Sequence, residues 1–142
     1  MMKNTYARTL DELARIVADT EGFFAQHNID ESLRMKVDLS LEELFVNMIT
    51  YNTETDHEVM VEMAPIDGGI AVSLTDHGVD RFDPTLGGEV DINAPLDERE
   101  PGGLGLYLVL KMADSIHYEY HNRVSKITFT NRTDVGESEQ HV

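Results

Sequence analysis

Four short groups of residues in this chain could do chemistry. The densest is Pro101-Gly102-Gly103-Leu104-Gly105-Leu106-Tyr107-Leu108-Val109. Three glycines in four positions run into an apolar helical pattern through Leu106, Leu108, Val109, Leu110, Met112 and Ala113. Glycines let the backbone approach a bound group closely, and a helix start behind them aims unpaired N–H groups and a positive dipole end at the same place. Together they make an anion site suited to a triphosphate, although the same residues also fit a tight packed corner. Glu43 and Asn47 stand four residues apart, on one helical face. A carboxylate there can take a proton, and an amide oxygen can ligate Mg²⁺ without adding negative charge beside phosphates; Ser40-x-x-Glu43 also matches a capping box. Asp76-His77-Gly78, followed by Phe82-Asp83-Pro84, puts a carboxylate at a strand end, where it can accept from an exocyclic amine such as that of adenine. Asp-x-Gly is equally a common turn. Thr128, in Lys126-Ile127-Thr128-Phe129-Thr130, supplies a strand hydroxyl on the face opposite Ile127 and Phe129.

The elements that must hold these groups follow from hydrophobic spacing. Residues 3–9 read as a short strand, and Thr9 with Glu12 as a capping box. Leu10, Leu13, Ala14, Ile16, Val17 and Phe24 give a helical stripe to about Gln26. Asp30 can cap a second helix whose stripe is Leu33, Val37, Leu41, Leu44, Phe45 and Met48, ending near Tyr51 and Asn52. That stripe takes the core and leaves Glu43 and Asn47 at its edge, where a pocket could lie. Strands are expected at roughly 57–65 and 69–76 around a turn at Asp67-Gly68-Gly69, and again near 115–121 and 124–131. Between Gly78 and Gly103 the pattern is lost among prolines, glycines and acids, which marks a lid over about 83–102. The glycine turn then opens a helix to about Asp114. Strands grouped in hairpins with helices between them predict an α+β two-layer sandwich, with a mixed, mostly antiparallel sheet and helices on one face. Residues 1–132 form a single domain and 133–142 a polar tail.

Eleven Lys and Arg against 27 Asp and Glu leave a net charge of −16. Such a chain repels phosphate backbones and anionic lipid, so direct nucleic-acid and membrane partners are not expected. The acidity serves solubility, and an acidic face can also dock a basic protein. With no cysteine, disulfides and thiolate metal sites are out of reach. No run of 18 apolar residues is present and the first residues lack a signal-peptide block, so the cytoplasm is the expected location.

The order of the pieces is more specific than any one of them. Glu43-x-x-x-Asn47 on a helix, Asp76-x-Gly78 after a hairpin, a lid, Gly103-x-Gly105 opening a helix and Thr128 in the last strand resemble the GHKL ATPase superfamily, whose members share the Bergerat fold. Phe82-Asp83-Pro84, then Ala94-Pro95-Leu96-Asp97-Glu98-Arg99, then Gly102 to Val109, look like the stand-alone anti-sigma-factor serine/threonine kinases of that superfamily. The resemblance implies ATP and Mg²⁺ as cofactors. Asn47 would hold the metal, Glu43 would be the catalytic carboxylate and Arg99 a lid cation for the γ-phosphate. Asp76 would bind the adenine amine, with Gly78 beside the ring and Thr128 supporting that contact, while Gly102, Gly103, Leu104, Gly105 and Leu106 would frame the phosphates. It also implies a serine on a STAS-type antagonist as substrate, a sigma factor as second partner, and a homodimer. A non-catalytic ATP-binding regulatory module that binds a protein partner would use the same pocket. The chain departs from the family pattern in Asp80, where a second glycine is common, and in Tyr51-Asn52, where a basic or small residue is common.

Overall fold

The computed structural model describes residues 1–53, 55–79, 109 and 111–133. Strand β1 (Met2–Tyr6) leads through a 3-10 turn at Leu10–Glu12 into helix α1 (Leu13–His27). A second 3-10 turn at Glu31–Leu33 opens helix α2 (Arg34–Tyr51), followed by β2 (Val59–Ile66), β3 (Gly69–His77), β4 (Ser115–His121) and β5 (Val124–Arg132). The five strands form one sheet in the order β1-β2-β3-β5-β4, and every pairing is antiparallel. The expected α+β two-layer arrangement is what the chain adopts. The lid and the glycine turn of the sequence reading lie outside the described residues.

Each boundary has a local cause. Asn28 closes α1 in the left-handed conformation (φ 53°), and the Ile29 N–H reaches back to the Phe24 carbonyl at 3.0 Å. Asp30 accepts the Ser32 N–H at 2.9 Å and so starts the next turn, as its position suggested. Between β2 and β3, Gly68 takes φ 73°, and a Cβ on Gly69 would overlap the Asn131 carbonyl oxygen. β5 can lie against β3 there because residue 69 has no side chain.

One face of the sheet takes both helices. Val37, Leu41, Leu44, Phe45 and Met48 of α2 meet Val59, Val61, Met63, Ile70, Val72, Leu74, Ile127 and Phe129, all buried. Strict alternation along β2, β3 and β5 sends these residues inward and leaves Ser73, Thr128 and Thr130 on the other face. Val109 is fully buried in the same core, so its place in the apolar pattern after the glycines is accounted for.

The N-terminal stripe is corrected. Leu10 and Val17 are exposed, whereas Ile16 and Phe24 of the expected stripe are buried, Leu13 packs against the core and Phe23 joins them. The helix proper begins at Leu13, so the 3-10 turn before it rotates Leu10 off the buried face. The capping box is corrected too. Thr9 makes no side-chain cap, and Glu12 reaches past it to accept the Ala7 N–H at 2.8 Å. Arg15 holds the same carboxylate with two hydrogen bonds, of 3.0 and 2.6 Å, and lays its guanidinium over the Tyr6 ring. Arg15, then the Ala7 N–H, pull the Glu12 pKa from 4.5 to about 2. Burial and the neighbouring Asp19 carboxylate push the Tyr6 phenol upward.

The Glu12 contribution to stability is complete above the unfolded value near 4.5 and disappears as pH falls toward about 2, because the depressed group binds its proton later in the folded chain. The melting temperature of Glu12→Gln should lie below that of the native chain at neutral pH, and the gap should close on acidification through that window. A Glu12 carboxyl signal titrating near 4.5 in the folded chain would contradict this.

Candidate functional site

The candidate site sits where the C-terminal end of α2 meets the C-terminal end of β3. Val72, Leu74 and Asp76 share the inward face of β3, so the strand period that buries the first two also buries the carboxylate, which has no solvent exposure. A buried charge needs a partner. Asp76 has two, and neither was read from the sequence. Arg8, in the loop after β1, donates Nη1 to Asp76 Oδ1 at 2.5 Å and Nη2 to Oδ2 at 3.1 Å. Asn52, which caps α2, donates Nδ2 to Oδ2 at 2.9 Å.

Arg8 does more than neutralise Asp76. Nη2 also donates to the carbonyls of Met48 at 2.8 Å and Asn52 at 2.9 Å, and Nη1 donates to His57 at 3.2 Å. A cation at the end of α2 meets the negative end of its dipole and adds a second bond to the Met48 carbonyl, which already accepts the Asn52 N–H at 3.0 Å. One guanidinium therefore ties β1, α2, the following loop and β3 together, with its side chain only 11% exposed.

The same end of β3 is held from the other side. Gly78 takes φ 73°, and a Cβ there would come within 3.1 Å of Thr55 Oγ1. Its N–H donates to the Arg123 carbonyl at 2.8 Å, and the Arg123 guanidinium returns a bond to the Gly78 carbonyl at 3.0 Å. Asn122 and Arg123 both have positive φ, which makes the tight two-residue turn between β4 and β5. The Val79 N–H also uses the Arg123 carbonyl, and Tyr120 donates its hydroxyl to the Val79 carbonyl at 2.8 Å.

On α2, Glu43 is half-buried and Asn47 is buried, one helical turn apart. Because α2 begins at Arg34, Ser40 lies inside the helix and cannot act as its cap. Among the described residues the Asn47 amide nitrogen has no hydrogen-bond partner. An idle buried amide is costly, and it fits a residue whose partner is a ligand. The idle group is an N–H donor, which suits an acceptor such as a phosphate oxygen, while a Mg²⁺ would take the oxygen of the same side chain. Among the described residues no group of three His, Asp or Glu side chains forms a metal site.

Thr128 is not brought to this place. It stands opposite Ser73 in the register and shares a 2.9 Å hydroxyl–hydroxyl bond with it, on the face away from Asp76. The expectation that it supports the Asp76 contact is corrected by that parity. Ser125 is the β5 residue directly across from Asp76, on the same face and buried. Arg99, Gly102, Gly103, Leu104, Gly105 and Leu106 lie outside the described residues.

A two-layer sandwich in which the second helix and a central strand meet at a buried Asp, with a Glu-x-x-x-Asn pair one turn back, has the architecture of the GHKL nucleotide-binding domains. Residues 6–131 match the model of the histidine kinase-like ATPase domain, and the chain belongs to that family. A search of the curated proteins gives no match. Among solved structures, the chain resembles the RsbU and RsbW domains of Rv1364c from Mycobacterium tuberculosis with a TM-score of 0.65 and 16% identity. That match covers 92% of this chain and 32% of the other, so the chain spans about a third of that protein. The SiaB–SiaC complex from Pseudomonas aeruginosa gives the same TM-score at 14% identity, over 92% of this chain and 89% of that one. The catalytic domain of the histidine kinase ThkA matches at 0.51 and 18% identity, over 93% and 96% of the two chains. At these identities the likeness is one of fold.

Removing one member of the buried pair strands the other. Asp76→Ala should cost about 3–5 kcal/mol by urea unfolding, because Arg8 keeps its charge without a carboxylate. Replacing both with apolar residues, as Arg8→Met with Asp76→Leu, should recover much of that loss. A single variant as stable as the native chain would show that the pair does not anchor this end of the fold.

Proposed function

We propose that the chain is an ATP- and Mg²⁺-dependent serine/threonine protein kinase that also regulates by binding, of the anti-sigma-factor kind. Its substrate would be a serine on a small STAS-type antagonist protein, and a sigma factor its second partner. The observation that carries this reading is the buried, idle amide of Asn47 one turn from Glu43, on the helix whose end grips Asp76. Membership of an ATPase-domain family implies nucleotide binding. Likeness to SiaB, whose structure is that of a complex with SiaC, and to the RsbW domain supports a protein partner.

Phosphoryl transfer asks an enzyme mainly for positioning and charge neutralisation. Asp76 would accept the adenine amine, with Gly78 beside the ring. Asn47 would hold Mg²⁺, which when bound offsets phosphate charge. Gly102, Gly103, Leu104, Gly105 and Leu106 would meet the phosphates with backbone N–H groups, and Arg99 would place a cation at the γ-phosphate. Glu43, half-buried and so only partly hydrated, would orient the attacking hydroxyl or take its proton. No helix among the described residues is long and apolar enough to cross a membrane.

Mg²⁺-ATP at about 100 times its Kd should stabilise the native chain by roughly 2.7 kcal/mol. A melting curve indifferent to millimolar Mg²⁺-ATP would remove the nucleotide assignment. Glu43→Gln keeps shape and hydrogen-bonding reach but cannot accept a proton. It should bind Mg²⁺-ATP as the native chain does while transfer of labelled γ-phosphate to the co-purified antagonist falls about 10²- to 10⁴-fold. Equal transfer by both would exclude Glu43 from the chemistry. A native chain that binds ATP and transfers nothing would be a binding module.

A further inference from the structure

We infer that Arg8 is the positioning residue for nucleotide recognition: its guanidinium fixes Asp76 so that the carboxylate keeps one acceptor site for the base. The inference rests on the nucleotide reading above, and its grounds are geometric. A carboxylate offers about four lone-pair sites on two oxygens. Arg8 takes one on each oxygen and Asn52 takes the second on Oδ2. Among the described residues nothing else bonds to Asp76, so one site remains, on Oδ1. A single fixed acceptor suits one N–H of an exocyclic amine and repels a carbonyl oxygen in the same position. Asp76 has no solvent exposure, so a donor that reaches the remaining site bonds it in a low dielectric, where the bond is strong.

The guanidinium belongs to the frame and is not a plug to be expelled by the base. It bonds three main-chain carbonyls besides the carboxylate, those of Met48, Asn52 and His57. Leaving would take a hydrogen bond from each of these carbonyls and two from the buried Asp76, which among the described residues would keep only Asn52 against its charge. Lysine could not replace it. A planar fork bonds both carboxylate oxygens and the helix end at once, whereas an ammonium is a point charge on a flexible stem.

The test compares ATP with inosine triphosphate, which carries a carbonyl oxygen where ATP carries the amine, by calorimetry on the full chain with Mg²⁺. The native chain should prefer ATP by about 10- to 100-fold, the range of one hydrogen bond to a charged group. Arg8→Lys keeps the charge and loses the fork, so the preference should shrink toward unity, while circular dichroism shows the fold retained. A merely structural role would weaken both nucleotides alike and leave the ratio unchanged. Asn52→Ala, which removes one Asp76 partner and leaves the ion pair, should give an intermediate ratio and keeps the test available if the lysine variant does not fold. In the native chain, ATP should shift the Arg8 guanidinium nitrogen resonances while they remain protected from exchange. An undiminished ratio in the folded variants would overturn the role of Arg8, as would a native chain that binds both nucleotides equally, or loss of guanidinium protection on binding ATP. Those results leave nucleotide binding standing. A native chain that binds neither nucleotide overturns the nucleotide reading itself, and this role with it.

Discussion

A carboxylate with no access to water is the constraint on which the rest of this structure turns. The alternation that drives Val72 and Leu74 into the core carries Asp76 in after them, and a charge placed there is tolerable only if it is paired and hydrogen-bonded. Meeting that demand recruits distant parts of the chain. The loop after β1 supplies the cation, the end of α2 supplies the amide, and carbonyls at the end of α2 take further bonds from the guanidinium. Helix capping, strand docking and the burial of a carboxylate are thus satisfied by one set of bonds. The site needs no added scaffold, because the groups that would read a base are the groups that close the fold.

Much of this was legible in the residues. The α2 stripe from Leu33 to Met48 was complete because a helix packed along one side repeats faithfully, and the β2–β3 and β4–β5 hairpins announced themselves through alternation and turn residues. The first helix misled at Leu10, where apolar type and spacing could not reveal that a 3-10 turn shifts the phase, and at Val17, which lies beside the buried face of Ile16, Thr20, Phe23 and Phe24. Glu12 misled because a capping box and a carboxylate reaching to Ala7 share the same letters. Asp76 and Asn47 could be singled out from their surroundings in the sequence. Arg8 could not, since nothing local distinguishes an arginine that will meet a carboxylate 68 residues away from one bound for solvent. Thr128 was placed correctly on the face opposite Ile127 and Phe129, but which face the site occupies is decided by Asp76. Parity along β3, continued through its register with β5, would have pointed to Ser125 instead.

The end of β3 is held by two arginines of different kinds. Arg8 works through its side chain, from the helical layer. Arg123 works largely through its carbonyl, from a turn whose left-handed backbone aims that oxygen at the Gly78 and Val79 N–H groups. A left-handed arginine is uncommon, and here the conformation is spent on docking the β4–β5 hairpin against the strand end. Gly78 is thereby gripped on both its amide and its carbonyl.

The wiring of Arg8 also sets a timetable. Its bonds run to residues 40, 44, 49 and 68 positions later in the chain, and β1 pairs with a strand more than fifty residues downstream. During synthesis the guanidinium therefore emerges first and waits until β3 has left the ribosome. Contacts of such long separation pay their loop-closure entropy before they return any stability, which slows folding. The same separation acts in reverse in the finished molecule. β1 is five residues long and lies at the sheet edge, held by one neighbouring strand. Fraying of a short edge strand is among the cheapest excursions open to a folded domain. Each time it frays, the anchor of the buried carboxylate loosens with it, so the fidelity of the site is set by the residence time of the first strand in the sheet.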